Sequence, residues 1–236
     1  MTAVFEISPE AQIEVRTLGH EQTPLIVIDH VLRSPQLAVS DACNKHYRVE
    51  PNDFYPGQRA AVSANYQAAI LGQFGDLFKS TFGYPDKSSV QSLFSAYSMT
   101  DTQASDLKPI QMLPHFDSPN NDQLAMVHYL CPPQHGGTGF FRHKTTGIER
   151  VTPTNMKAYG QCLKQEAIGA ELHLSPQYIS KEHALFESIG TVNVEFNRLI
   201  VYPSNLLHSG LINTTSDLGT DPLANRLTIS SFSKLS

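Results

Sequence analysis

The sequence is poor in cysteine and in long hydrophobic runs, and each scarcity excludes a class of protein. Its three cysteines, Cys43, Cys131 and Cys162, are an odd number at unrelated spacings, which argues against a disulfide framework and a zinc knuckle. No stretch approaches the roughly 18 to 20 apolar residues that cross a bilayer. Residues 1–19 lack the basic start and the apolar core of a secretory signal. We therefore expect a cytoplasmic protein with no membrane partner.

An excess of charge of either sign is also missing. The 17 basic and 22 acidic residues give a formal net charge of −5, without a basic stripe or a run of like charges. The composition therefore predicts no nucleic-acid partner, and it leaves the oligomeric state open. What the chain has is length: 236 residues with 40% hydrophobic content allow one sizeable core, so we expect a single domain over residues 1–236.

The first part of the chain, residues 1–89, predicts a strand and supporting helices. Residues 25–31 are a short apolar run rich in β-branched side chains, which is typical of a strand. Residues 35–46 predict a helix, with Ser34 as its cap and Pro35 at its first position. Residues 65–82 repeat apolar side chains at three- and four-residue steps, which predicts a longer amphipathic helix.

From residue 90 the hydrophobic period changes to two, which is typical of strands. The predicted strands are 90–99, 112–117, 124–131, 138–143, 191–196, 198–202 and 226–232. Two predicted helices, 153–168 and 176–189, form a helical insertion within residues 144–196. Residues 90–236 therefore predict a sandwich or barrel of mostly antiparallel sheet, and the fold class is mainly β with flanking helices (α+β).

The triplet His115-Phe116-Asp117 and the distant His208 are the residues of this core that indicate chemistry. Two imidazoles and one carboxylate form the three-ligand face that holds a non-haem iron while other coordination positions stay open. His115 and Asp117 share one face of a predicted strand, because residues two apart point the same way. His208 lies just past an apolar strand, and a sheet that folds back brings such a position beside the triplet. We therefore expect these three side chains to bind one metal ion.

Arg226 opens the last predicted strand, and Thr228 follows on the same face. An arginine that faces a barrel interior is costly unless an anion meets it. A bound dicarboxylate would supply that anion, because the planar guanidinium matches a carboxylate in two parallel hydrogen bonds. The pair therefore predicts a pocket for a carboxylate-bearing ligand.

In their order along the chain, these residues resemble the iron(II)- and 2-oxoglutarate-dependent dioxygenases, whose pattern is His-x-Asp, a distant histidine and a later basic residue. Tyr129-Leu130 followed by the glycine-rich segment 136–140 is similar to a strand pair of the prolyl 4-hydroxylase-like branch. The segment 196–202 that leads into His208 is similar to that branch's strand before the second histidine. The resemblance covers roughly residues 90–232.

The resemblance implies a double-stranded β-helix, a distorted jelly roll of the cupin-like kind. It also implies that His115, Asp117 and His208 bind Fe(II), that 2-oxoglutarate and O2 take the remaining positions, and that succinate and CO2 are released. Hydroxylation is the usual outcome in that family.

By position in the same family, Arg226 would pair with the distal carboxylate of 2-oxoglutarate, and Tyr129 would share it. Thr228, which faces the same way as Arg226 on the predicted strand, could add a hydroxyl. Tyr97, on the strand before the triplet, matches a residue near the cosubstrate. One departure from the family pattern is the long interval between His208 and Arg226, which is filled by the loop 213–224.

Two other function classes remain open. A cupin-type metalloenzyme would use the same three ligands without 2-oxoglutarate, and Arg226 would then be dispensable. A non-catalytic β-barrel binding module would bind no metal at all. His128 and His143 lie beside the predicted site, and we interpret them as capping or packing residues.

Substrate specificity in such enzymes comes from loops around the mouth of the site. The candidates are residues 53–59, which begin at Asp53, the insertion 144–196, and the loop after His208. Tyr55-Pro56-Gly57 predicts a turn with aromatic and basic neighbours. This favours a small polar substrate, such as an amino acid or a peptide side chain.

Overall fold

The computed structural model describes residues 5–50, 54–181 and 183–236. These residues form a mainly β structure with two sheets and three α-helices, and all the strand pairs within the two sheets are antiparallel. Neither sheet closes into a barrel, and the arrangement is jelly-roll-like. The predicted α+β class is therefore confirmed at this level.

The elements follow one another in a mixed order along the chain. The strands are β1 Gln12–Leu18, β2 Thr23–Asp29, β3 Gly57–Ala61, β4 Val90–Thr100, β5 Gln123–Tyr129, β6 Thr138–His143, β7 Phe186–Val192, β8 Arg198–Pro203, β9 His208–Gly210 and β10 Leu227–Leu235. The helices are α1 Pro35–Cys43, α2 Ala64–Thr81 and α3 Met156–Gly169. Short 3-10 turns occur at Ala104–Asp106, Pro109–Met112 and Leu172–Leu174. No helix in the described part of the chain has the length and apolar character needed to span a bilayer.

Seven strands form a major sheet in the order β1-β2-β8-β5-β10-β4-β3, and three form a minor sheet in the order β7-β6-β9. One face of the major sheet, called the outer face below, is covered by α1 and α2. Its other face, the inner face, packs against the minor sheet. Helix α3 covers the far side of the minor sheet.

The strict alternation of a β-strand decides what each face of the major sheet contains. On β10, Leu227 and Ile229 belong to the core beneath the helices, whereas Thr228 and Ser230 point to the inner side and line a cavity. On α2, Ile70, Phe74 and Phe78 recur at four-residue steps and fill the outer core. The predicted helices 35–46 and 65–82 are thus present, each within a few residues of its predicted ends.

The second helix predicted for the insertion, at 176–189, is wrong. The described residues of that stretch contain no helix, and Phe186–Val192 forms β7 instead. Strand β7 pairs with β6 along its whole length, and these cross-strand contacts override a helix-like sequence pattern. The strand predicted at 191–196 consequently begins earlier. The first predicted helix of the insertion is present as α3.

The predicted strand 112–117 is also wrong as a regular strand. The chain makes the 3-10 turn Pro109–Met112 and then meets β9 through a single antiparallel bridge between His115 and His208. Strands β1, β3 and β9 are absent from the sequence prediction. Of these, β9 has only three residues, so no periodic pattern identifies it.

Candidate metal centre and cavity

His115, Asp117 and His208 come together in space, although 91 residues separate the aspartate from the second histidine. Their ligand atoms all lie within 4.8 Å of one another. Nε2 of His208 is 3.4 Å from Oδ2 of Asp117, and Nε2 of His115 is 3.8 Å from Oδ1 of the same carboxylate. These three residues are called the triad below.

Backbone hydrogen bonds hold the triad together. His115 and His208 exchange both main-chain hydrogen bonds, each at 2.9 Å, and the amide of Asp117 donates to the carbonyl of Ser204 at 2.8 Å. Residues 115 and 117 are therefore pinned to the segment that leads into β9. One antiparallel bridge, without a longer strand pairing, is enough to place the triplet beside β9, and the side chains of His115 and Asp117 turn toward His208.

The hydrogen bond of the other ring nitrogen orients His208. Its Nδ1 lies 2.8 Å from the carbonyl oxygen of Leu206, which is only an acceptor, so Nδ1 carries the proton and Nε2 keeps its lone pair. Burial lowers the pKa of His208 to about 4, which keeps the ring neutral near pH 7. Nε2 faces Asp117, so the lone pair is directed into the triad. This is the tautomer that a metal-binding imidazole requires.

The triad borders a cavity of about 400 Å³ between the two sheets, a size within the range of small-molecule sites. The side chain of His115 is 48% exposed, that of Asp117 20% and that of His208 7%. The triad is thus buried on the side of β9 and accessible on the side of the triplet. The inner face of the major sheet contributes Arg226, Thr228 and Ser230 to the same cavity.

Arg226 is a buried cation on the cavity wall. Its Nε donates to the carbonyl of Gly136 at 2.6 Å, and its Nη2 donates weakly to the carbonyl of Gly137 at 3.4 Å. No carboxylate of a described residue forms an ion pair with it, and Nη1 donates to none of the described residues. A buried guanidinium with donors left over is suited to an anion that enters from the cavity.

A tight turn positions the two carbonyl groups that hold Arg226. A Cβ atom added to Gly136 would lie 1.6 Å from the carbonyl oxygen of Leu211, so only glycine fits there. The amide of Gly136 donates to the buried carboxylate of Asp217 at 2.9 Å, and the same carboxylate is 2.9 Å from Nδ1 of His135. The loop 213–224, which lengthens the interval before Arg226, therefore folds around one buried carboxylate.

Tyr129 and Thr228 are adjacent partners in the sheet register but occupy the site differently. Thr228 lines the cavity, and its hydroxyl donates to the carbonyl of Ser98 at 3.3 Å. Tyr129 lies behind the cavity wall: its hydroxyl is 2.6 Å from that of Thr138, and its ring lies 5.6 Å from the guanidinium carbon of Arg226. Tyr129 thus contacts the cation rather than the cavity.

The structure does not bring Tyr97 to this cavity. Its side chain belongs to the outer core beneath α1 and α2, and its hydroxyl donates to Asp41 at 3.0 Å. Thr100, three residues later on β4, lies on the inner side and lines the cavity.

Several cavity residues are absent from the predicted site. Tyr202 lies on the inner face with its ring 4.8 Å from that of His208, and its hydroxyl makes no hydrogen bond with any described residue. The sequence places Tyr202 on the same strand face as Ile200, but β8 is buried on both faces, so the pattern alone does not show which face meets the cavity. The predicted mouth loops also contribute, through Tyr55 and Arg59 from residues 53–59 and Tyr178 from the insertion. Asp53, the first residue of that loop, lies outside the described residues.

The donor set fits a first-row divalent cation. Neighbouring ligands on an octahedral ion with bonds of about 2.1 Å lie about 3 Å apart. The observed separations of 3.4 and 3.8 Å need side-chain shifts of less than about 1 Å to reach that geometry. Two imidazole nitrogens and a carboxylate on one side of an ion leave the cavity side for exogenous ligands.

Comparisons with known proteins give one family and several similar structures. A model described as a family of unknown function (DUF6445) matches residues 9–233. AviO1 from Streptomyces viridochromogenes Tue57 is 11% identical with a TM-score of 0.41, over 81% of this chain and 73% of that chain. SnoN, a non-heme alpha ketoglutarate dependent epimerase from nogalamycin biosynthesis, is 11% identical with a TM-score of 0.47, over 91% and 80%. EvdMO1 is 13% identical with a TM-score of 0.38, over 94% and 55%. No curated protein sequence matches the chain.

Proposed function

The chain belongs to DUF6445, a family whose function is unknown, and we propose that it is a non-haem Fe(II)- and 2-oxoglutarate-dependent oxygenase with a double-stranded β-helix core. The proposed reaction hydroxylates an amino-acid, peptide or other small polar substrate. The observation that carries the proposal is the triad beside a cavity whose wall holds the buried cation Arg226.

The three triad side chains would bind the iron from one side and leave its other coordination positions open. His208 is held neutral and oriented by its bond to Leu206, so its Nε2 is available without loss of a proton. Asp117 supplies the negative charge, and His115, the most exposed of the three, supplies the second nitrogen. Bound iron would supply the activation of O2, coupled to the oxidation of 2-oxoglutarate to succinate and CO2. With one substrate C–H bond converted to C–OH, the two atoms of O2 are accounted for.

Arg226 would bind the distal carboxylate of 2-oxoglutarate. Its position is fixed by the Gly136 and Gly137 carbonyls and by the ring of Tyr129, so the guanidinium does not have to be ordered when the ligand arrives. Thr228 adds a hydroxyl on the same wall. The hydroxyl of Tyr202 borders the same space and would accept or donate a further hydrogen bond.

The side chains at the mouth of the cavity are suited to a substrate with both polar and apolar parts. Phe54, Tyr55 and Tyr178 present aromatic surface, and Arg59 lies with its guanidinium 4.7 Å from the ring centre of Tyr55. Such a wall suits an amino acid or peptide side chain that stacks on a ring and offers an anionic or polar end.

Ligand spectroscopy without oxygen tests the cosubstrate. Purified protein mixed with Fe(II) and 2-oxoglutarate under anaerobic conditions is expected to develop a weak visible charge-transfer band, because the cosubstrate chelates the iron. His208→Ala should abolish the band, and the matched variant His46→Ala, at an exposed histidine on the helical side, should retain it. Folded protein that gives no band would overturn the proposal.

The outcome also separates the two other function classes. Tight iron binding without any effect of 2-oxoglutarate would indicate a cupin-type metalloenzyme. Failure to bind iron or other divalent metals at the triad would indicate a non-catalytic binding module. Once the band is established, succinate release in the presence of candidate amino acids and peptides identifies the substrate class, provided that release rises above the rate without substrate.

A further inference from the structure

A second cluster of metal-ligating side chains lies away from the cavity, between the minor sheet and α3. His143 ends β6, and Cys162 and Glu166 lie four residues apart on α3, one turn above the other. One ligand atom from each lies within 4.8 Å of the other two. Residues at this spacing share one face of a helix, so both side chains turn toward the strand.

The contacts within this cluster leave one nitrogen unsatisfied. The side chain of His143 is fully buried, and its Nε2 lies 2.7 Å from Oε2 of Glu166. This close contact does not have the alignment of a full hydrogen bond, and Nε2 has no other partner among the described residues. The thiol of Cys162 is 3.7 Å from the same oxygen. A nitrogen, a sulfur and an oxygen therefore converge on a small volume.

No lysine or arginine of the described residues forms an ion pair with Glu166, and the ring that contacts its carboxylate is the imidazole of His143. An ordinary buried ion pair would satisfy both ring nitrogens with aligned hydrogen bonds. Here the imidazole is directed at the carboxylate without such a bond, and a thiol occupies the third side.

We propose that His143, Cys162 and Glu166 form a second divalent-cation site, with the mixed nitrogen, sulfur and oxygen donors that suit Zn²⁺. Tetrahedral coordination by three side chains leaves a fourth position for water. This site is independent of the function proposed for the triad.

Neighbouring hydroxyl groups orient two of the three ligands. Nδ1 of His143 is 2.9 Å from the hydroxyl of Thr146, so a proton on Nδ1 would leave Nε2 as the ligand atom. The hydroxyl of Thr145 donates to the second oxygen of Glu166. An ion here would tie α3 to β6, the strand that also pairs with β9 at His208. Its expected role is to fix the helix on the sheet.

Cobalt spectroscopy tests this site, because Co²⁺ replaces Zn²⁺ and gives a near-ultraviolet charge-transfer band when a thiolate binds it. The titration uses His208→Ala protein, in which the triad cannot hold the ion tightly. We expect one equivalent of Co²⁺ to produce the thiolate band. Cys162→Ser should abolish it, and Cys43→Ser, at the exposed cysteine of α1, should leave it unchanged.

Glu166→Gln provides a second variant that keeps the thiol and the approximate size of the side chain. In the His208→Ala protein, this substitution should weaken Co²⁺ binding at least tenfold while the band stays at the same wavelength. Zn²⁺ should also raise the Tm of the His208→Ala protein more than that of the protein that carries Glu166→Gln in addition. Any of three results would overturn the proposal: no thiolate band in the His208→Ala protein, a band that survives Cys162→Ser, or an unchanged Co²⁺ affinity in Glu166→Gln. Circular dichroism without metal checks that each variant is folded.

Discussion

The two faces of the major sheet are built from the same strands and yet have opposite characters. On the outer face, His128, Tyr66 and Tyr97 are hydrogen-bonded within the protein: His128 contacts the hydroxyl of Tyr66 at 2.9 Å and Asn197 at 3.1 Å, and Tyr97 donates to Asp41. On the inner face, Arg226 and the hydroxyl of Tyr202 keep donors that no described residue accepts. Buried polar groups are normally paired, so an inner face with unused donors indicates a ligand.

Side-chain type alone does not identify a site in a sheet. Tyr97 and Tyr202 are both tyrosines on central strands and both are buried, but alternation sends one into the helix-covered core and the other toward the triad. Histidines follow the same division, since His128 and His208 lie on opposite sides. What distinguishes them is whether their hydrogen-bonding capacity is used up.

Removing a large side chain from the outer face should have the largest effect on stability. Phe78→Ala deletes a fully buried ring from the core beneath α2, and we expect the free energy of unfolding to fall by about 3 to 5 kcal/mol. Iron affinity should change less than about twofold, because no triad contact is lost. The matched variant Phe232→Ala, on the half-buried cavity side, should cost about half as much stability. Urea unfolding measures both, and equal losses would contradict the division between the faces.

Acid should destabilise the metal-free protein through one histidine on each side. Burial lowers the pKa of both His128 and His208 to about 4. Between about pH 6.5 and pH 4 these two histidines bind protons in the unfolded chain but not in the folded protein. The free energy of unfolding therefore falls as the pH falls through that window. Each ring contributes up to about 3 kcal/mol.

Urea unfolding of the metal-free protein at about pH 7 and about pH 4.5 measures this effect. His128→Gln should remove the part of the pH dependence of stability that comes from the outer-face histidine. His208→Gln should remove the part that comes from the histidine at the cavity. Stability that stays constant across the window in the parent protein would show that the rings are not held neutral by burial.

Arg226→Ala should weaken 2-oxoglutarate binding and leave the iron in place. Loss of a charge-assisted hydrogen bond costs about 1.5 to 3 kcal/mol, which corresponds to roughly a 10- to 100-fold increase in the Kd for 2-oxoglutarate. Anaerobic titration of the charge-transfer band gives that Kd, and the Kd for Fe(II) should change less than about threefold. Arg198→Ala is the control, since Arg198 pairs with Asp29 at 2.6 Å and does not border the cavity. If both Kd values rise equally, Arg226 is not the cosubstrate anchor.

A pair of tyrosine variants makes the smallest and sharpest comparison. Tyr97→Phe removes a hydroxyl that bonds to Asp41, so stability should fall by about 1 kcal/mol and the 2-oxoglutarate Kd should not change. Tyr202→Phe removes a hydroxyl without a described partner, so stability should hold while ligand binding weakens by a few fold. Thermal unfolding and the same titration measure both. If Tyr97→Phe weakened 2-oxoglutarate binding and Tyr202→Phe lowered stability instead, the roles assigned to the two tyrosines would be wrong.

The sequence was sufficient to predict that His115, Asp117, His208 and Arg226 lie near one another, because their types and order carry chemical meaning. His115, Asp117, His208 and Arg226 all reach one site, although the strand expected around the triplet is a turn with a single bridge. The position of Tyr97 could not be predicted in the same way. The period-two pattern correctly grouped Tyr97 with Met99, but a strand buried on both faces gives no signal of which face meets the helices.

Other elements depend on pairing that the local sequence does not specify. Strand β7 forms because β6 lies beside it, and residues 176–189 considered alone resemble a helix. Strand β1 does alternate, but Ile13 and Val15 are half exposed at the edge of the sheet, so the pattern carries little burial. The second cluster combines a strand residue, His143, with a helix that is 13 residues away at its nearest point. Only the folded chain shows that they meet.

Strand β10 follows every other strand along the chain, yet it lies between β5 and β4 in the middle of the major sheet. While a ribosome is still adding residues 226–235, the neighbouring strands have open edges, which can pair with another chain. Arg226 and Thr228 arrive with that same segment, so the sheet and the cavity wall are completed in one late step. A nascent chain stalled at residue 225 would carry the whole triad while the facing edges of β4 and β5 stay unpaired, and unpaired edges favour aggregation.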